Sequence, residues 1–183
     1  MKASESEPHA PPAEKFAISS ILHTVTPSDL KKAGVKPTDR PEAVIDDFRH
    51  GWRDWYTLEA NNPHHWEYST RKLADRKWQG QTGQRLTLQV QVEKPNELAV
   101  ILTENYFRSY RGKQKEFAAV VKLLGVQEAQ TISLAPGNFR TSEGETLTTW
   151  ERIDLLSFRA YHGDLGSRSW AGKQPSFRKL EWR

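Results

Sequence analysis

The chain of 183 residues contains no cysteine. That absence excludes a disulfide framework, a thiolate nucleophile and any cysteine-ligated zinc site. Long apolar runs are missing as well: the longest, such as "LAVIL" at 98–102, fall far below the ~20 residues of a membrane-spanning helix, so no membrane partner is expected. The opening "MKASESEPHAPPAEK" lacks the apolar core of a signal peptide. Methionine occurs once, at position 1, which suggests a fragment of a longer chain whose export signal, if any, lies upstream. Also absent are G-x-S-x-G, the P-loop, G-x-G-x-x-G and H-E-x-x-H, each of which would announce a nucleophile, a bound phosphate or a zinc site. No carboxylate pair stands out for glycoside hydrolysis, and the chain is not expected to be an enzyme in its own right. The formal charge is +4, but Lys and Arg are mostly interleaved with Asp and Glu, as on an ordinary soluble surface. Without a recognition helix, an aromatic RNA-binding signature or a sustained basic run, nucleic acid is not an expected partner.

What is present is a succession of strand signals. Residues 1–15 are rich in Pro, Glu, Ser and Ala with no apolar periodicity, and read as a disordered tail or linker. Residues 16–42 hold "FAISSILHTV", a strand candidate, then "TPSDLKKAG", with Thr26 as N-cap, Pro27 at the first helical position and Gly34 as stop, and then a proline-rich connector. The compact domain is expected over 43–183. In "RLTLQVQVE", Leu86, Leu88, Val90 and Val92 fall on one face and Thr87, Gln89 and Gln91 on the other, the period of a half-buried strand. "LAVILTE", "EFAAVVKLL", "QTISL", "IDLLSFRAY" and "SFRKLEW" follow, separated by Gly, Pro and Asn turns. Such spacing without a long helix points to an all-β antiparallel sandwich or barrel.

Seven tryptophans are too many to lie exposed on one small domain. Trp150 and Trp182 read as core, Trp78 as a loop residue that caps the sandwich or faces solvent. In "TENYFRSYRGKQKE", Tyr106, Arg108 and Tyr110 alternate with Phe107 and Ser109, so a strand would show two phenols flanking a guanidinium. Exposed rings stack on sugar faces, while Asn105, Arg108 and Arg111 can donate hydrogen bonds, the Arg fork suiting an acidic sugar. The bland alternative is a tyrosine ladder with solvated arginines. In "NNPHHWEY", adjacent histidines diverge in a strand and are poor co-ligands for one metal; His65 and Trp66 read as ligand-rim residues, with Trp170 as a further aromatic candidate.

The order "VIDDF", "LTLQV", "LAVIL", "QTISLAPGNF", "WERIDLLSFRA" and "FRKLEW" resembles the galactose-binding-like β-jelly roll of non-catalytic carbohydrate-binding modules, including the complex I intermediate-associated protein 30 group. The resemblance covers about 43–183 and implies a core containing Phe139, Trp150, Ile153, Leu155 and Phe158. It further implies binding of a polysaccharide or oligosaccharide as the ancillary domain of a larger, exported, glycan-processing hydrolase, hence a periplasmic or secreted location and a parent catalytic domain as partner. The alternative role is a structural or protein-interaction sandwich packed on that parent. Domains of this resemblance often hold a structural Ca²⁺ through opening aspartates, here Asp46 and Asp47. One of these two must face an apolar neighbourhood, where a carboxylate needs a cation or several hydrogen-bond donors. Calcium and a salt bridge from Arg178 or Lys179 in the closing strand both meet that need.

Overall fold

The structure is a computed structural model and describes residues 43–58, 66–126, 128–160 and 170–183. The expected tail, N-terminal strand and short helix all lie outside the described residues.

Among the described residues, nine strands form two antiparallel sheets. They are β1 (Val44–Asp46), β2 (Tyr56–Leu58), β3 (Glu67–Thr70), β4 (Leu86–Gln91), β5 (Pro95–Glu104), β6 (Lys115–Leu124), β7 (Gln130–Leu134), β8 (Ile153–Ala160) and β9 (Ser176–Trp182). The first sheet has the order β1-β9-β4-β7 and the second β2-β3-β8-β5-β6. From β4 onward the chain alternates between sheets, with β5 and β6 as the one hairpin, the interleaving of a jelly roll. The all-β, antiparallel sandwich expected from the sequence is the fold observed.

Alternation decides which side chains enter the core. In β4, Leu86, Leu88 and Val90 are buried against the other sheet, as their period of two requires. In β5, Leu98, Val100 and Leu102 point inward, while Ala99, Ile101 and Thr103 on the opposite face are also nearly inaccessible. This explains why "LAVIL" reads as one continuous apolar run: β5 is a central strand, flanked by β6 and β8. The sheets meet through aromatic rings, with Phe158 of β8 stacked on Phe177 of β9 at 4.9 Å.

Phe139, Trp150, Ile153 and Phe158 are core, as the resemblance implies. Leu155 is not; it is only half-buried and absent from the core cluster. The register slips between Thr103 and Glu104 where β5 meets β8, so Ile153 and Leu155 do not share an environment despite their spacing. β2 had no signal of its own, being three residues long. The edge of β6 is partly covered: Arg140 bridges to Ala118 and then to Thr146, so the open edge is shortened.

Candidate functional site

One end of the sandwich presents the tip 105–114 between β5 and β6. Its geometry begins in the core. Asp154 of β8 is completely buried, and its carboxylate accepts hydrogen bonds from the backbone N–H of Tyr106, at 2.8 Å, and of Phe107, at 3.0 Å. A buried carboxylate without partners would be prohibitively costly; here two N–H donors satisfy it. Those amides are thereby withdrawn from the sheet ladder. β5 stops at Glu104, Asn105 turns the chain at φ 56°, and Ser109–Arg111 form a 3-10 turn. The expected strand alternation of Tyr106, Arg108 and Tyr110 therefore does not occur.

The tip nonetheless exposes its rings. Tyr106 is 49% accessible, Phe107 45% and Tyr110 79%. Tyr106 and Phe107 meet edge to face at 4.8 Å, and the Arg111 guanidinium lies 5.6 Å from the Tyr110 ring centroid. Arg108 is half-buried and donates through Nη2 to the Ala74 carbonyl oxygen, which ties the tip to the 3-10 turns at Lys72–Ala74 and Arg76–Trp78. Asn105 is buried; its Nδ2 donates to the Lys113 carbonyl oxygen, and its Oδ1 has no partner. Of the residues expected here, Tyr106, Tyr110 and Arg111 form the open surface. Asn105 and Arg108 shape it from beneath.

Trp66 and Trp170 are elsewhere and each is only 2% accessible. Neither is a rim residue. Trp66 shares the parity of Tyr68, whose register partner Phe158 faces inward, and its indole packs edge to face on Trp170 at 4.9 Å. Trp170 Nε1 donates to the Lys173 carbonyl oxygen. His65 lies outside the described residues, as do His64 and His162.

The opening aspartates have separate environments. Asp46 Oδ1 accepts from Phe48 N at 2.8 Å, and Oδ2 accepts from Trp55 Nε1 at 2.9 Å and from Lys72 Nζ at 2.8 Å. Lys72 Nζ also donates to the Ile45 carbonyl oxygen at 3.2 Å and lies 3.5 Å from Asp54 Oδ2. Burial works against ionisation of Asp46, but the hydrogen bonds from Lys72, Trp55 and Phe48 outweigh it and hold the carboxyl below its ordinary value. Asp47 is exposed and paired with Arg49 at 3.1 Å. β1 and β9 are indeed neighbours, yet Arg178 donates to Gln91 and Lys179 pairs with Glu181. The counter-ion of Asp46 is Lys72 instead. Its ammonium occupies the position, between a carboxylate and a backbone carbonyl, that a hard cation would need, so a divalent ion does not fit without displacing it. Among the described residues, no group of three or more His, Asp or Glu side chains could hold a metal.

The outward face of the second sheet carries the row Tyr56, Ser69, Ser157, Ile101 and Ala118. Its polar groups satisfy one another: Ser69 Oγ and Ser157 Oγ are 2.7 Å apart, and Arg159 pairs with Glu116 at 3.0 Å. Tyr56 is the ring it leaves exposed.

Sequence reasoning missed Phe107, whose ring is open beside Tyr106, and two residues that shape the surroundings. Asp154 had a readable signal, a carboxylate inside the apolar run "IDLLSF". Lys72 had none, since it meets Asp46 across 26 positions.

A solved structure shares this architecture. It is the family 11 carbohydrate-binding module from Clostridium thermocellum, determined in complex with a β-1,3-1,4-mixed-linked tetrasaccharide. The TM-score is 0.53 and the identity 12%, over 78% of this chain and 95% of that one. At this identity the likeness establishes the fold. No protein-family model matches the sequence, and no curated protein does.

Proposed function

We propose that the protein is a non-catalytic carbohydrate-binding module, ancillary to a larger glycan-processing protein that works outside the cytoplasm, and that the tip 105–111 is its contact surface. The observation that carries this reading is the cluster of solvent-open rings, Tyr106, Phe107 and Tyr110, with Arg111 beside them. Flat aromatic faces match the C–H faces of a pyranose, and a guanidinium supplies fixed planar donors to hydroxyl or carboxylate oxygens. The jelly-roll architecture, shared with a module solved on an oligosaccharide, supports the same reading. A small open surface binds weakly and reversibly, which suits a tethered module because attachment raises the effective concentration of sugar at the parent catalytic domain.

The test is binding to a panel of polysaccharides, with Tyr106→Ala/Tyr110→Ala as the variant and near-ultraviolet circular dichroism as the check on folding. Binding that disappears in the folded variant is the expected result. Full retention of binding would remove the tip from the proposal. EDTA is expected to change neither affinity nor Tm, because the Lys72 ammonium meets the need of Asp46. A second reading, a sandwich packed on its parent protein, is favoured by the exposed aliphatics Val120 and Leu124 of β6 and Val126 beyond it. Absence of binding to every glycan would transfer weight to that surface.

A further inference from the structure

The tip lies within a concentration of positive charge that the interleaved composition conceals. Arg108, Arg111, Lys113 and Lys115 fall within eight residues without one acidic neighbour among them. Arg71, Lys72, Arg76 and Lys77 fall within seven, against Asp75 alone. These segments are separate in sequence, but the Arg108 side chain joins them by donating to the Ala74 carbonyl oxygen. Two of the cations are used internally, Lys72 by Asp46 and Lys115 by Glu145. Among the described residues, Arg71, Arg76, Arg111 and Lys113 are exposed and form no ion pair. Asp75, whose carboxylate accepts from Lys77 N and caps the turn there, is the one acidic side chain within these two segments. Asp154, the nearest buried carboxylate, is turned to the backbone amides of Tyr106 and Phe107.

Exposed cations gathered beside open rings repel one another when a polyanion is absent, and gain Coulomb energy when one is bound. We infer that the ligand of this site is an anionic polysaccharide, its carboxylate or sulfate groups held by Arg76, Arg111 and Lys113 while sugar rings lie on Tyr106 and Tyr110. The inference rests on the carbohydrate reading above and narrows it to one charge class. Uronates and sulfate esters present the same planar or trigonal oxyanion to a guanidinium, so the patch chemistry is common to both.

The experiment measures affinity of the intact chain for polygalacturonate, a sulfated galactan, a neutral mixed-linked β-glucan and a deoxythymidine oligonucleotide, at low and moderate salt. Two variants accompany it, Arg76→Glu/Arg111→Glu/Lys113→Glu and the milder Gln version at the same positions, each with Tm as a folding control. The expected result is binding to one or both acidic polysaccharides that weakens by about tenfold over a fourfold rise in salt, as release of a few counter-ions predicts. It should be weakened in the Gln variant and abolished in the Glu variant. Which acidic polymer binds distinguishes carboxylate from sulfate. Binding to the neutral glucan that all variants share would overturn the charge inference and leave the carbohydrate reading standing. No glycan binding at all would overturn both, and tighter binding to the oligonucleotide would reassign the patch to nucleic acid.

Discussion

Replacing Lys72 by methionine isolates the cation on which Asp46 depends. The ammonium is 2.8 Å from Asp46 Oδ2, and the two side chains are 15% and 13% accessible. A fully exposed pair contributes ~0–1 kcal/mol, whereas stranding one member of a fully buried pair costs ~3–5 kcal/mol. This pair lies near the buried limit, but Trp55 Nε1 and Phe48 N would still donate to the carboxylate. The expected loss at neutral pH is about 2–3 kcal/mol, roughly 5–10 °C in Tm for a domain of this size. The pH dependence is the sharper test. Burial opposes the charge on Asp46, but its hydrogen bonds prevail and place the folded carboxyl below its ordinary 3.8. A group depressed by folding stabilises the fold above its unfolded pKa, and that stabilisation is lost as the pH falls through the folded pKa. Without Lys72, burial is opposed by two neutral donors alone, so protonation relieves the carboxyl instead of costing it a partner. The gap between Lys72→Met and the parent should be widest near neutrality and narrow at an acidic pH below the ordinary carboxyl range, where Asp46 takes up its proton in both chains. Urea unfolding followed by tryptophan fluorescence reads it directly. A neutral-pH loss below about 0.5 kcal/mol, typical of a surface pair, or a loss unchanged between the two pH values, would refute the reasoning.

Gly80→Ala should destabilise by ~1–3 kcal/mol through overpacking, since its Cβ would lie 2.8 Å from the Trp150 and Trp182 rings; a Tm equal to the parent's would contradict it. Phe158→Ala removes the ring stacked on both Trp55 and Phe177 and should cost ~3–5 kcal/mol, measured by denaturant midpoint. Asp154→Asn replaces one acceptor by a donor facing a backbone N–H and should cost about 1–3 kcal/mol. Hydrogen exchange at the Tyr106 and Phe107 amides should accelerate, and unchanged protection there would show that the carboxylate does not hold the tip. In the parent chain, Glu181 behaves as Asp46 does: burial raises its pKa, but Lys179 and Arg183 lower it further. Stability should therefore fall on acidification below about pH 4, and a Tm flat from neutrality to pH 3 would oppose both assignments.

The strands were legible because sheet burial imposes a period of two that composition records. β4 and β6 through β9 are found where the strand runs and turn residues of the sequence place them, while β5 begins three residues before "LAVILTE", at Pro95. The site was legible only in part. Sequence sets Tyr106, Arg108 and Tyr110 apart as a face too polar for a core; the two tyrosines are exposed, but Arg108 is half-buried. It does not reveal that Asp154 takes the amides which a continuing strand would need, so the expected strand face becomes a turned tip. Trp66 and Trp170 failed for a related reason: beside histidines and a Gly/Ser loop they look peripheral, yet parity with Tyr68 and contact with each other make them core. Lys72 is the plainest limit, because an ion pair between distant segments leaves no local trace in composition or periodicity.

The tryptophans explain how such a tip can be held still. Five are buried and Trp52 and Trp78 half-buried, so the rings that stand fully open are Tyr and Phe. Four indole N–H groups reach loops or strand ends: Trp55 to Asp46, Trp150 to the Gln84 carbonyl oxygen, Trp170 to that of Lys173 and Trp182 to that of Trp78. Each indole buries a large apolar surface and satisfies its polar edge by fixing a connecting segment. The Trp182 bond anchors Trp78 at the end of the second 3-10 turn, Arg76–Trp78, which follows directly on the turn whose Ala74 carbonyl accepts from Arg108. The tip is thus braced twice, by Asp154 through its backbone and by Arg108 through this segment. A surface ordered before its ligand arrives loses little entropy on binding. On the proposed carbohydrate-binding reading, that economy is what would let a few exposed rings and cations suffice.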